Sequence, residues 1–113
     1  SWMFSSTNIE ELDLNKFNTS NVTNMYGMFS STKIKDLNLT SFNTSKVKNM
    51  EQMFLDAKST TIDLSSFDIS SVTNNRDMFS NCSANTVYAK NNNDINWFKR
   101  SGRIPWNLKF VIK

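Results

Sequence analysis

The sequence predicts an α/β repeat protein: a solenoid with a parallel β-sheet on one face and short helices on the other. The dipeptide Met-Phe begins at residues 3, 28, 53 and 78, a fixed interval of 25 residues. Each interval contains an apolar-polar-apolar triplet typical of a short strand and a segment whose apolar residues are spaced as on one helical face. A period between roughly 20 and 50 residues marks arrays in which each unit buries its apolar face against its neighbours.

The strand of each unit is predicted from period-two alternation, which points alternate side chains to opposite faces of a sheet. The predicted inward positions are Leu12, Leu14, Leu37, Leu39, Ile62, Leu64, Val87 and Ala89. Asp13, Asn38, Asp63 and Tyr88 lie between them and should point outward. Because the chain returns once per unit, the strands should be parallel and in register, about 4.8 Å apart.

The second segment of each unit is predicted to form a helix or a helical turn. Ser20 is a good N-cap, and the first copy then places its apolar residues on one helical face, at Val22, Met25, Met28 and Phe29. Asn75 replaces the inner Met in the third copy, which should weaken that unit. We expect each Met-Phe doublet to close the buried stripe of its helix.

Residues 1–89 are therefore predicted to be tandem repeats with a truncated start, and residues 90–113 a C-terminal cap. Asp94 to Gly102 has an acidic start, an apolar cluster, a basic last turn and a final Gly, which predicts a short helix. After Pro105, an alternation predicts a final strand with one buried face, formed by Trp106, Leu108, Phe110 and Ile112. At the other end, the apolar Trp2, Met3 and Phe4 predict either preceding repeats or end-to-end self-association.

Residues 7–18 follow the leucine-rich repeat core Leu-x-x-Leu-x-Leu-x-x-Asn in the form Ile9-x-x-Leu12-x-Leu14-x-x-Phe17-Asn18. Together with the recurring phrases Ser-Phe-Asn-Thr-Ser and Val-Thr-Asn-Met, this pattern resembles the BspA-type leucine-rich repeats, the DUF285 family of bacterial surface proteins. The resemblance covers roughly residues 1–89 and implies a right-handed, leucine-rich-repeat-like solenoid. It also implies a location on the surface of bacteria or mycoplasmas, in arrays linked to adhesion or host-protein binding. The departures are Ser59, Ala84, Asn92 and Trp97, and they cluster toward the C-terminus as expected for a cap.

The composition argues against several classes of protein. The absence of His excludes His-dependent triads and common zinc sites, and no cofactor or enzymatic activity is expected. Cys82, the single cysteine, falls at a small interior position and is expected to be a buried thiol. No apolar stretch approaches the roughly 18 residues of a membrane span, so no membrane insertion is expected.

The charge is unevenly distributed along the sequence. Residues 1–75 contain six lysines and eight carboxylates, whereas residues 76–113 contain seven basic residues and two acidic ones. This basic end has no interleaved aromatics or motif for nucleic-acid binding, and none is expected.

The outward strand face is the best candidate for a binding surface. Its candidate residues are Glu11, Asp13, Asp36, Asn38, Asp63 and Tyr88. A solvated polar face explains them as well as a ligand does. Paired carboxylates can also bind Ca²⁺ or act as a glycosidase acid and base, but no Gly-turned loop supports either, and no metal site is expected. Two polar columns are expected to be structural ladders that satisfy turn backbone: Asn18, Asn43, Asp68 and Asn93, and Asn24, Asn49 and Asn74.

The predicted function is a non-catalytic module of a bacterial surface protein that binds an extracellular protein or glycan, in adhesion to host or neighbouring cells. Its location at the cell surface, or secretion, is implied by the resemblance alone. The alternative is an architectural spacer whose strand face binds no ligand.

Overall fold

The computed structural model describes residues 14–113, whose strands form a parallel β-sheet followed by one α-helix before the last strand. Its elements are the 3₁₀ helix η1 (Leu14–Lys16), β1 (Asp36–Asn38), β2 (Thr61–Asp63), β3 (Thr86–Ala89), α1 (Asn92–Lys99) and β4 (Lys109–Ile112). The four strands are ordered β1-β2-β3-β4, and all neighbours are parallel. The predictions for Trp2, Met3, Phe4 and Leu12 lie outside the described residues.

The predicted register of the repeat strands is confirmed. Leu37 pairs with Ile62, and Ile62 pairs with Val87, so that each step across the sheet equals one 25-residue unit. The predicted inward residues of the strands are all buried, namely Leu37, Ile62, Val87 and Ala89. Leu39 and Leu64, which directly follow β1 and β2, are buried as well. Leu14 is also buried, but it lies in η1 rather than in a strand. The corresponding Leu39 and Leu64 likewise begin a turn, because each carbonyl accepts a hydrogen bond from the Phe three residues later.

The sequence predicted a helix or a helical turn for the second segment of each unit, and the structure has turns rather than short helices there in the described units. Residues 25–32, 50–57 and 75–82 form successive turns instead. Alternate backbone N–H groups have different partners: the Met28 N–H donates to the Met25 carbonyl in its own unit, and the Phe29 N–H donates to the Met53 carbonyl in the next unit. An α-helix needs every N–H for bonds four residues back, so the bonds between units exclude it.

Left-handed backbone residues keep these segments in turns. Positive φ angles recur at equivalent positions, namely Gly27, Gln52, Asp77 and Gly102 in one column and Ser31, Asp56 and Asn81 in another. Such residues interrupt a right-handed helix. The Met-Phe doublets at 28, 53 and 78 are nonetheless buried as predicted. The Phe rings of these doublets form a column: the ring centroids of Phe29 and Phe54 are 5.9 Å apart, and those of Phe54 and Phe79 are 5.5 Å apart.

The predicted cap helix exists, but its start is displaced. Helix α1 begins at Asn92 rather than Asp94, because the Asn91 side chain accepts a hydrogen bond from the Asp94 N–H at 2.8 Å and acts as the N-cap. The helix ends at Lys99, before the predicted Gly102. The Phe98 ring of α1 meets Phe79 edge-on at 5.9 Å, so the helix extends the aromatic column.

The predicted last strand is confirmed as β4, but its single buried face is only partly correct. Leu108 is buried, and Phe110 is half-buried and stacks on Phe98 at 6.2 Å. Trp106 is 96% exposed because it lies in the turn before β4, which the Leu108 N–H closes on the Pro105 carbonyl. Ile112, at the end of this outer strand, is 51% exposed.

Candidate binding face on the parallel sheet

The outward face of the sheet presents two rows of side chains. One row follows the pairing Asp36 to Thr61, then Thr86 and Lys109. The other follows Asn38 to Asp63, then Tyr88 and Val111. The structure therefore brings together four of the six candidate residues, Asp36, Asn38, Asp63 and Tyr88. Glu11 and Asp13 lie outside the described residues.

Asn38 and Asp63 both have a structural role at the ends of their strands. The Asn38 Oδ1 accepts hydrogen bonds from the Thr40 N–H at 3.0 Å and from its hydroxyl at 2.6 Å. The Asp63 Oδ1 accepts the same pair from Ser65, at 2.9 and 2.6 Å. Short polar side chains commonly fix turns by bonding the backbone two residues on. One oxygen of each side chain is thus committed to the fold.

The second carboxylate oxygen of Asp63 forms an ion pair with the side chain of Lys113. Its Oδ2 accepts a hydrogen bond from the Lys113 Nζ at 2.7 Å, and the same Nζ lies 4.8 Å from the centroid of the Tyr88 ring. The Asp63 side chain is only 8% exposed, whereas that of Lys113 is 56% exposed. Asp63 was expected on the outer face and lies there, but it is buried rather than solvated.

The electrostatics of this pair follow from its contacts. Burial raises the pKa of Asp63, but the hydrogen bonds from Lys113 and Ser65 together outweigh it, and the pKa lies below its ordinary value. The hydrogen bond to Asp63 raises the pKa of Lys113 above its ordinary value. Both groups are therefore charged at neutral pH, and the outward face of β2 and β3 holds an ammonium group beside a carboxylate.

Asp36 differs from Asp63 although both are strand carboxylates. It is exposed, and it accepts a hydrogen bond from the Thr61 hydroxyl of the adjacent strand at 2.7 Å. Among residues 14–113, no Lys or Arg forms an ion pair with it. Asp36 is thus a solvated carboxylate on the same face, which makes it a useful reference for Asp63.

The polar columns at the turns are structural, as predicted. The side-chain oxygens of Asn18, Asn43 and Asp68 each accept hydrogen bonds from the N–H and hydroxyl of the Ser two residues later. Those of Asn24, Asn49 and Asn74 accept the N–H two residues later. Asn93 departs from this pattern because it lies inside α1.

Two buried threonines connect neighbouring units, and the sequence reasoning missed them. The Thr44 hydroxyl donates to the Asp68 carbonyl at 3.0 Å and accepts from the Asp68 N–H at 2.8 Å. Thr19 makes the same two bonds to Asn43. The recurrence of Thr after Asn at 25-residue spacing was the available signal, and Ile69 breaks it in the third unit.

Cys82 is a buried thiol, as predicted. It is 4% exposed, and its Sγ accepts a hydrogen bond from the Ala84 N–H at 3.4 Å. Burial raises the pKa of the Cys82 thiol, which disfavours the reactive thiolate. Within residues 14–113, no three side chains of the metal-ligating types cluster, and no helix is long and apolar enough to cross a membrane.

An open cleft of about 520 Å³ lies beside the turn that precedes β4. Its lining includes Asn81, Arg103 and the exposed Trp106. Arg103 lies 3.8 Å from Asp77, so that a carboxylate partly neutralises its charge. This cleft is separate in sequence from the strand face and contains none of the candidate residues.

The sequence model of the family described as "Mycoplasma protein of unknown function, DUF285" matches residues 1–101. The chain belongs to the DUF285 family. The resemblance drawn from the repeated phrases is thereby confirmed, and the match extends through α1. Comparisons with curated proteins and with solved structures gave no match. The division between repeats and cap at residue 89 stays a prediction. Because the DUF285 description assigns no function, the functional argument depends on the geometry of the strand face.

Proposed function

We propose that this DUF285 chain is a non-catalytic interaction module of a bacterial surface protein, which binds an extracellular protein or glycan through its strand face in adhesion. The units are proposed to wind as a right-handed, leucine-rich-repeat-like solenoid. The constant 25-residue register of β1 to β3 and the bonds between neighbouring units support this arrangement.

A single observation carries the binding proposal. In the row from Asn38 to Tyr88, the Asp63 carboxylate binds the ammonium group of Lys113, a residue outside the three repeat strands. The fixed Asp63 carboxylate and the adjacent Tyr88 ring can bind a partner side chain without catalysing a reaction. No general acid, base or nucleophile pair is proposed, because the cysteine is buried and the strand carboxylates are held in turn and cross-strand bonds.

The alternative function is an architectural spacer. The engagement of Asn38 with Thr40, and of Asp36 with Thr61, favours it, because these polar atoms already have partners in the fold. Under this alternative the strand face binds no ligand, and the units only separate other parts of a surface protein.

A binding screen separates the two functions. The variant Asp36→Asn/Asp63→Asn removes two charges from the strand face, and Glu51→Gln/Asp56→Asn removes two from the turn face as a matched control. The binding function predicts that, on arrays of host proteins and glycans, the first variant loses partners that the control retains. Identical profiles for wild type and both variants would favour the spacer. Circular dichroism must show that each variant is folded.

A further inference from the structure

The ammonium position on the strand face has the features of a binding site rather than of a simple surface ion pair. The Asp63 Oδ1 is fixed by two hydrogen bonds from Ser65, which orients Oδ2 toward the outer face. The Tyr88 ring lies beside that oxygen and offers its electron-rich face to a cation. Both parts of the site belong to the repeat strands β2 and β3, while the bound ammonium group belongs to Lys113, the residue directly after β4.

We propose that Asp63 and Tyr88 form a binding site for the ammonium group of a lysine side chain on a partner protein, and that Lys113 occupies this site in the free chain. The proposal rests on the proposed function of the strand face and names the chemistry of its partner. Lys113 is well suited to be displaced, because its side chain is 56% exposed while that of Asp63 is 8% exposed. Holding a long, exposed side chain in one geometry costs conformational entropy and weakens such a pair.

The geometry favours lysine over arginine. A guanidinium group binds a carboxylate best through two parallel hydrogen bonds to both oxygens. At Asp63 the first oxygen already accepts two bonds from Ser65, so only Oδ2 is open to a cation. A compact ammonium group needs one oxygen and can also contact a ring. Quaternary ammonium groups are usually held by cages of several aromatic side chains, whereas Tyr88 is the one ring that contacts the cation in the described part of the chain.

The charge distribution also favours a cationic partner. Residues 1–75 contain six lysines and eight carboxylates, so this part of the chain carries a net negative charge. Asp36 is exposed on the same face and adds negative charge beside β2, whereas Lys109 lies at the β4 end of the same row. A negatively charged surface raises the rate at which positively charged partners associate, and the effect weakens with added salt.

The experiment is an NMR titration of the folded chain, at low salt, with a blocked peptide that contains one lysine and no other charge. Lys113→Met empties the site and keeps an apolar stem of similar length. Lys109→Met is the matched control, because it removes the same charge from the start of β4, whereas Lys113 directly follows β4, and Lys109 forms no ion pair in the described chain. If Lys113 fills the site in most molecules, its removal raises the apparent affinity about three- to tenfold, and the control changes it by less than about twofold.

Further arms test the chemistry. In the Lys113→Met background, the peptide with acetyl-lysine should bind at least about tenfold more weakly, and the arginine peptide should also bind more weakly than the lysine peptide. Asp63→Asn should abolish binding; if that variant does not fold, Tyr88→Leu should weaken binding several-fold. Shifts should be centred on the Tyr88 ring protons.

Several outcomes would overturn the proposal: no binding of the lysine peptide to Lys113→Met at 10 mM, equal effects of the two lysine substitutions, or equal binding of acetylated peptide. The proposed function is judged separately by the binding screen. Partners that depend on Asp36 and Asp63 but bind wild type and Lys113→Met equally would leave the proposed function intact and overturn the lysine site.

Discussion

The aromatic column predicts a measurable cost for replacing its central ring. Phe54 is completely buried and stacks on Phe29 and Phe79, with centroid distances of 5.9 and 5.5 Å. Phe54→Leu keeps an apolar side chain but removes both ring contacts, each of which contributes about 0.5–1.5 kcal/mol beyond area burial. The two contacts together give a loss of about 1–3 kcal/mol in the free energy of unfolding. Incomplete filling of the space adds to it, since protein interiors relax only partly.

Phe42→Leu is the matched control for this prediction. Phe42 is also buried, but it makes one tilted ring contact, with Phe29 at 6.1 Å. The change in side-chain volume is the same, so the difference between the two variants isolates about one stacked ring contact. We expect Phe54→Leu to be more destabilising by about 1 kcal/mol.

Urea unfolding followed by far-UV circular dichroism measures this difference. With an m-value of about 1–3 kcal/mol/M, a difference of about 1 kcal/mol separates the two midpoints by about 0.3–1 M. Equal midpoints, or a lower midpoint for Phe42→Leu, would refute the view that stacked rings connect the units. Equal m-values are needed for the comparison, because a changed slope reports a changed unfolded or native ensemble.

Four further changes have expected outcomes in the same unfolding assay. Thr44→Val should lower the free energy of unfolding by about 1–3 kcal/mol, because it removes the two hydrogen bonds between the buried Thr44 hydroxyl and the Asp68 backbone. Gly27→Ala should cost about 1–2 kcal/mol, because φ is 61° there. Asn75→Met restores the repeat pattern but should still cost about 1 kcal/mol, because the Asn75 amide donates to a carbonyl of α1. Asp63 should stabilise the fold fully above the pKa of an unfolded Asp, about 3.9, and this contribution should be lost as pH falls through its lower folded pKa.

The Thr44→Val prediction has a matched control. Thr73→Val removes a hydroxyl that is exposed and should cost less than Thr44→Val. Asp63→Asn should flatten the acid limb of the stability curve. A stabilised Asn75→Met variant would contradict the role assigned to its amide.

The parallel sheet could be predicted because its determinants are local and repeated. Alternation within each triplet assigned Leu37, Ile62 and Val87 to the interior, and a constant step of 25 residues left one register in which they pair. The same apolar spacing around Met25, Met28 and Phe29 was ambiguous. It places these side chains inward in a helix or in a series of turns. Backbone hydrogen bonds to the next unit favour the series of turns over the helix. These bonds join residues far apart in sequence, so no local pattern predicts them.

The candidate site was predicted only in part, for a related reason. The row of Asn38, Asp63 and Tyr88 followed from the register. The cation on Asp63 comes from Lys113, 50 residues away, and depends on where β4 joins the sheet. The turn-forming role of Asn38 could have been read from the Thr two residues later, since this spacing is typical of side-chain-closed turns.

Departures from the repeat pattern are most informative where the turn units give way to α1. Asn75 replaces a buried Met, and its amide donates to the Trp97 carbonyl in α1 at 3.2 Å. Ile69 replaces the bridging Thr and packs against the core, because the following segment is a helix that needs no hydroxyl bridge. Asn75 thus lacks the apolar contacts of the Met but gains a hydrogen bond to the cap. The hydrogen bond from Asn75 to α1 is the physical reason why restoring the consensus Met should destabilise this chain.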